Sequence, residues 1–335
     1  MKTVTVTGPG TTAVVEADKP QAGPRDVLVR MRACGICGSD ALYIHVGGIP
    51  PRQGATPLGH EPAGEVAEVG AEVDGLAVGD HVVINPMAAG DGIIGSGGAQ
   101  GGLSEFVVIR DAVVGTHLIT VPKHIPFEVV ALNEPMAVAT HGVNRAAPQP
   151  GDKAVVFGAG PIGLGAAIAL KLRGVAHVVV VDIVPDRLAK ALRVGADAVI
   201  NSAEEDVAAR LTELHGEAPK GVGVRGIKPA TDIYLDAAGA PVVIETVLAA
   251  AKHGARLSIV AVHKKPVEVD FGAILTTELT ITMAMGYPTE IFEVTPGLVA
   301  NWEKYAEIVS DVIPYAEVQR ALTLATAGKV VVSIP

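Results

Sequence analysis

Aromatic residues, cysteine and basic charge are all scarce in this chain, and each shortage closes off a class of function. Aromatics make up 3% of its 335 residues, which argues for close-packed strands and helices and against an aromatic-rich binding surface. Lysine and arginine number 26 against 36 aspartates and glutamates, a net charge of −10. With no concentrated basic face, neither nucleic acid nor an anionic membrane is expected as a partner. Cysteine occurs only at Cys34 and Cys37, so a secreted disulfide framework is excluded and a reducing cytoplasm is the expected setting. The start of the chain has no signal-peptide pattern, and no uninterrupted run of about 18 apolar residues offers a transmembrane helix.

What is present is a large apolar fraction, 49% of residues, rich in valine, alanine and glycine. The length exceeds what one ordinary core accommodates, so two domains are expected. Up to about residue 135 the chain reads as short strands cut by turns: Val4–Val6, Val27–Arg30, Gly64–Val69, His81–Ile84 and Phe106–Ile109. Glycine and proline punctuate it at Gly23-Pro24, Pro50-Pro51 and Gly79-Asp80, a spacing that suits a small barrel. Residues 90–102 contain seven glycines and read as a flexible loop.

After Pro150-Gly151-Asp152 the pattern becomes strand, then helix, repeated. Ala154–Phe157, His177–Val181, Ala198–Ile200, Ile233–Leu235 and Arg256–Ala261 are the strands; helices run to about Arg173, over Pro185–Val194 and from about Pro241 to Ala251. Such alternation predicts a parallel sheet covered on both faces. A further strand at Leu279–Met283 precedes a mixed tail ending in Val330–Ser333.

Two motifs carry chemistry. Gly158-Ala159-Gly160-Pro161-Ile162-Gly163 follows a strand and opens a helix, and Asp182 ends the next strand. In a dinucleotide-binding turn Gly158 permits the tight turn, Gly160 lets the backbone approach a pyrophosphate, Gly163 allows close helix–strand packing, and the helix N-terminus attracts the anion. Asp182 would accept hydrogen bonds from the adenosine ribose and repel a 2′-phosphate, which points to NAD over NADP. Arg187 near the start of the next helix lies along the adenosine or is a plain exposed helix charge. The second motif joins Cys37-Gly38-Ser39-Asp40 to Gly59-His60-Glu61. Thiolate, imidazole and carboxylate suit zinc, and with no second CxxC to complete a closed Cys₄ site, an open catalytic site is favoured. Singly, Cys37 reads as a small buried thiol and His60 as a core histidine; with Glu61 and the dinucleotide motif they read as ligands. A redox role for Cys34 and Cys37 would want a helix N-terminus, and the surroundings read as strand and loop.

With CGICGSD, GHEPAGEVAEVG, LNEPMAVATHGV and VVFGAGPIGLG in this order, the chain resembles the zinc-dependent medium-chain alcohol/polyol dehydrogenases, closest to the sorbitol, 2,3-butanediol and threonine dehydrogenase branch. The resemblance implies an α/β architecture. A GroES-like β-barrel catalytic domain (1–136 and 277–335) would be split around a Rossmann doubly wound domain (137–276). It implies Cys37 and His60 as zinc ligands with Glu61 or Glu134 completing the set, the two glutamates alternating around a labile water, Asp40 orienting His60, and Ser39 passing on the substrate proton. Val260, Ala261 and Val262 would meet the nicotinamide carboxamide and Lys329 would lie near the pyrophosphate. It further implies one catalytic zinc per subunit with no structural zinc, NAD as cofactor, a secondary alcohol, diol or polyol as substrate with ketone reduction as the reverse, and a homodimer or homotetramer. Relatives often carry a proton-relay histidine where this chain has Leu42; water, Tyr43 or His45 would take its place. Tyr43–Arg52 and the region of Met285-Gly286-Tyr287 would shape the substrate pocket. The competing expectations are a metal-free quinone or enone reductase, against which the Cys37, His60 and Glu61 set speaks, and a non-enzymatic nucleotide-binding protein.

Overall fold

The structure, a computed structural model, describes residues 1–49, 55–325 and 328–335. Pro50-Pro51 and the far end of the Tyr43–Arg52 stretch lie outside the described residues. The chain forms two compact units, Met1–Glu134 with Ile291–Pro335, and Pro135–Glu290.

The first unit is built mainly of short antiparallel strands. Val27–Gly35 is central to a seven-stranded sheet, flanked by Glu61–Val69 and Lys329–Ser333, with Val309–Pro314, His81–Ile84, Leu118–Val121 and Phe106–Ile109 completing it. A second sheet of three strands pairs Lys2–Gly8 with Thr11–Glu16 and Thr56–Pro57. Val27, Val29 and Met31 alternate inward from the central strand and are fully buried, in one core with Val4, Leu58, Val82, Ile94, Leu103 and Val332. Leu28, between them on the other face, is fully buried as well, so both faces of the strand are covered there.

The glycine-rich stretch 90–102 is packed, which corrects its reading as a flexible loop. Ile94 and the adjoining Leu103 are fully buried, and Gln100 holds both backbone groups of Val108, accepting from its N–H and donating to its carbonyl at 2.9 Å each. A Cβ on Gly101 would fall 2.2 Å from the Leu58 carbonyl, so these glycines serve close backbone approach.

The second unit holds a six-stranded parallel sheet in the order Ala198–Asn201, His177–Asp182, Lys153–Phe157, Ile233–Asp236, Arg256–Ile259, Thr280–Met283. The strands from Lys153 to Asp236 read as near-continuous apolar runs because helices cover the faces. Proline opens the helices Pro161–Leu172, Pro185–Val194 and Pro241–Ala250 at their first positions, and Gly195 in the left-handed region at φ 109 stops the second of them, as the chemistry of helix ends favours. The boundary expected at 277 moves to 290. Thr280–Met283 pairs in parallel with Arg256–Ile259, Arg256 opposite Thr280, and so belongs to this sheet. The helix Val207–His215 and the strand Val309–Pro314 were not foreseen. Among the described residues no helix is long and apolar enough to cross a membrane.

Candidate active site

Register brings the first group of residues together. Cys34 and Gly35 at the end of one central strand face Pro62 and Glu61 at the start of the next. Cys37 lies just past one strand and His60 just before the other, so both project from the same end of the pair. A Cβ on Gly35 would stand 1.7 Å from Glu61 Oε2. Glycine here is therefore the condition for the Glu61 side chain to lie across the strand. Gly59, at φ +91, turns the chain so that His60 and Glu61 both enter the pocket.

Cys37 is the N-cap of the helix Gly38–Val46, whose Asp40 Oδ2 accepts from the Cys37 N–H at 2.9 Å. The surroundings of Cys37 are thus a helix start, which corrects the strand-and-loop expectation. A dithiol role gains nothing from this, because Cys34 is fully buried and its burial, reinforced by Asp40 and Glu61, pushes its thiol far up.

Among the described residues, Cys37, His60 and Glu61 bring one ligand atom each within 4.8 Å of one another. His60 Nδ1 faces Asp40 Oδ1 at 3.4 Å, an electrostatic contact longer than a good hydrogen bond. The other nitrogen, Nε2, lies 3.3 Å from Ser39 Oγ. Burial works against charge on His60, but the facing Asp40 carboxylate and then Cys37 hold its imidazole well above the usual range. Glu61 Oε1 is buried with no hydrogen-bond partner. A buried carboxylate oxygen without a donor is costly, and beside a thiol and an imidazole its natural complement is a cation. The donor set fits zinc.

Glu134 begins the helix Asn133–Arg145 and is buried, yet it does not join that three-residue group. Burial, opposed by His60 and Lys329 and reinforced by Glu61 and Asp40, pushes its carboxyl up to about 7. Lys329 is also buried, and its ammonium donates to Glu61 Oε2 and to the Ile36 carbonyl. The alternative of a surface lysine is corrected by this burial. Sequence reasoning had one available signal: a lysine at the head of the buried run Val330-Val331-Val332 needs a counter-charge. Tyr43, one helical turn beyond Ser39, places its hydroxyl 2.8 Å from Ser96 Oγ in the glycine-rich segment, a partnership that no sequence pattern announces. Leu42 is 56% exposed.

In the second unit the glycines stand as their roles require. Gly158 has φ +97, a Cβ on Gly163 would meet the Gly158 carbonyl at 1.7 Å, and a Cβ on Gly160 would point into open space. That space lies at the uncapped start of Pro161–Leu172, where Gly160 is the N-cap and Pro161 and Ile162 begin the helix. A nucleotide pyrophosphate fits it. Asp182 ends its strand with Oδ1 accepting from the Ile183 and Val184 N–H groups and Oδ2 from Ala159 at 2.7 Å; Oδ2 retains a lone pair for a hydroxyl. Arg187 is half-buried in the first turn of Pro185–Val194. The Val260 and Ala261 N–H groups both donate to the Asp236 carbonyl at 3.0 Å, leaving Val262 79% exposed. His263 Nε2 lies 2.6 Å from Asp236 Oδ2, a pair the sequence reading missed.

A glycine cradle for a dinucleotide and an open thiol, imidazole and carboxylate set in one chain define a class, the metal-assisted pyridine-nucleotide dehydrogenases. Two family models match within it, the alcohol dehydrogenase GroES-like domain over residues 23–122 and the zinc-binding dehydrogenase over 161–301. The chain is 33% identical to (R,R)-butanediol dehydrogenase of Bacillus subtilis over 81% of its length and 80% of that protein's. It is 30% identical to sorbitol dehydrogenase of the same organism over 84% of its length and 82% of that protein's. The crystal structure of 2R,3R-butanediol dehydrogenase from Bacillus subtilis superposes with a TM-score of 0.84 at 27% identity, covering 99% of each chain. The chain belongs to the zinc-dependent medium-chain polyol dehydrogenase family.

Proposed function

We propose that this protein oxidises a secondary alcohol, diol or polyol with NAD and, in reverse, reduces the corresponding ketone. The observation that carries this is the convergence of Cys37, His60 and Glu61 around the unpartnered Glu61 Oε1, in a chain that also carries the open glycine cradle. A zinc ion held by Cys37, His60 and Glu61 supplies Lewis acidity toward a substrate hydroxyl. NAD would be held along Gly158-Ala159-Gly160-Pro161-Ile162-Gly163 with Asp182 on the adenosine ribose and Arg187 alongside, and would supply the hydride acceptor. Val260, Ala261 and Val262 line the carboxamide end, with carbonyls as acceptors because two of the amides are already committed.

The remaining work falls to this chain's side chains. Ser39 Oγ accepts the substrate hydroxyl proton while passing its own on to water as the C–H hydride leaves, so that one proton and one hydride depart and a ketone remains. Asp40 Oδ1 faces Nδ1 of His60 at 3.4 Å and orients the ring, which leaves Nε2 on the Ser39 side as the ligating nitrogen. Glu134, with its carboxyl raised, stands beside the set as a neutral or singly charged neighbour and not as the third ligand.

The exposed edge strand Thr280–Met283, with Ile281 37% and Met283 64% exposed, supports a homodimer or homotetramer, and the low cysteine count supports a cytoplasmic location. Zinc analysis of the purified protein, run beside a screen of secondary alcohols, diols and polyols with NAD at the nicotinamide absorbance, tests the function. Zinc near one per chain with turnover on at least one substrate is expected. Turnover without zinc would transfer the chain to the metal-free reductases, and nucleotide binding with no turnover on any substrate would make it a non-enzymatic binder.

A further inference from the structure

Lys329 is a buried charge that the proposed reaction does not use. Its side chain is 3% exposed and that of Glu61 1% exposed, and a buried ammonium is retained only where it is paired and hydrogen-bonded. Its two partners belong to the two ligand-bearing segments. One is Glu61 Oε2, and the other is the carbonyl of Ile36, the residue before Cys37. The lysine itself starts the strand that pairs on the other side of Val27–Gly35, with Val331 opposite Gly35. A single ammonium therefore ties the Cys37 turn to the Glu61 strand from behind.

The consequence lies in the oxygens of Glu61. Oε2 is taken by Lys329 and crowded by Gly35, whereas Oε1 is buried and without a partner. Resting on the zinc reading above, we infer that Lys329 is a positioning residue that fixes Glu61 as a one-oxygen ligand through Oε1 and thereby selects Glu61 over Glu134 as the carboxylate of the site. Selection follows from geometry: of the two glutamates Glu61 takes the Lys329 hydrogen bond, and among the described residues it is Glu61, not Glu134, that stands within ligand distance of Cys37 and His60.

The test uses the full-length protein and zinc itself, with cobalt substitution as a second probe. Wild-type zinc stoichiometry is measured first, and a value near zero sinks the zinc reading independently of this inference. With zinc near one per chain, Lys329→Met is expected to weaken zinc binding 10–100-fold in chelator competition, the usual loss when an outer partner of a ligand is removed, and to alter the cobalt visible spectrum as Glu61 loses its fixed oxygen. Glu134→Gln is expected to leave both unchanged. In a Glu61→Gln background Lys329→Met should have no further effect on zinc affinity, because the lysine acts through Glu61. Wild-type affinity and spectrum in Lys329→Met, an equal loss in both backgrounds, or a spectral change in Glu134→Gln would each overturn the inference. Should Lys329→Met fail to fold, zinc-edge X-ray absorption of the wild-type protein decides: four-coordination with one sulfur supports one-oxygen ligation, and an additional oxygen from a bidentate carboxylate overturns it.

Discussion

The two units solve the problem of holding a ligand in opposite ways. The metal pocket of the first is crowded with buried side-chain charge, Asp40, His60, Glu61, Glu134 and Lys329, drawn from positions up to 289 residues apart in sequence. The cofactor edge of the second is made largely of bare backbone, with three glycines and a helix start inside six residues and one carboxylate at the end of the next strand. A site of side chains is precise but costly to desolvate, whereas a site of backbone dipoles is prepaid by the fold. Damage to the first should therefore show in chemistry, and damage to the second in binding.

The largest effect expected from that contrast is at Cys37. Cys37→Ala should bring zinc toward zero in elemental analysis and lower turnover by about 10³-fold or more, equivalent to ~4 kcal/mol of barrier, while NADH affinity measured by fluorescence stays within about twofold. Loss of NADH binding in this variant would break the contrast. Ser39→Ala should lower kcat by roughly 10²-fold with zinc retained, the range for a lost proton-transfer group; steady-state kinetics with metal analysis checks both.

Two glycines sharpen the second half. Gly163→Val forces a Cβ into the Gly158 carbonyl and should cost about 2–3 kcal/mol of stability in urea unfolding. Gly160→Val meets open space, so the fold should hold while NADH binding weakens about tenfold or more in calorimetry. Equal stability loss in both would show that the open space has a structural use. Asp182→Ala should shift the NAD over NADP preference by about 10–100-fold, as expected when one charged hydrogen-bonding partner and one repulsive charge are removed together; the ratio of kcat/KM values is the readout.

The smallest effect concerns acid stability. Burial, then the neighbouring charges of His177 and Lys153, hold His215 down at about 4 against an ordinary value of 6.5. Between those pH values the unfolded chain binds a proton that the folded one does not. Stability therefore falls as pH drops from 6.5 to 4 and levels off below, by about 3 kcal/mol. His215→Gln should flatten that slope in urea titrations at several pH values, with activity at neutral pH unchanged.

How much of this the sequence displays follows the same division. The glycine turn was legible residue by residue, because its determinants lie within one strand–turn–helix and each glycine answers a local demand. Cys37, His60 and Glu61 were legible as ligand types, and their neighbourhood follows from the pairing of two consecutive sheet strands. Lys329 was not. Its position depends on a strand that returns from the C-terminal end to flank Val27–Gly35, and nothing near residue 329 encodes that neighbour. Tyr43 and Ser96 met for a similar reason, the packing of a glycine-rich segment that composition alone presents as loose. The boundary at 277 failed because a strand's membership in a sheet depends on its partner, and Thr280–Met283 differs little in pattern from the strands of the other unit.

The pairing of Gly35 with Glu61 has a further implication for how this protein can change over generations. Cys37 and His60 are each anchored within two residues of that pair, so a single inserted residue in either strand would turn Glu61 to the opposite face and dissolve the ligand set. Segments away from that pair carry no residue of the set, which leaves this chain able to be refitted to new substrates by loop insertion while its proposed metal ligands stay in step.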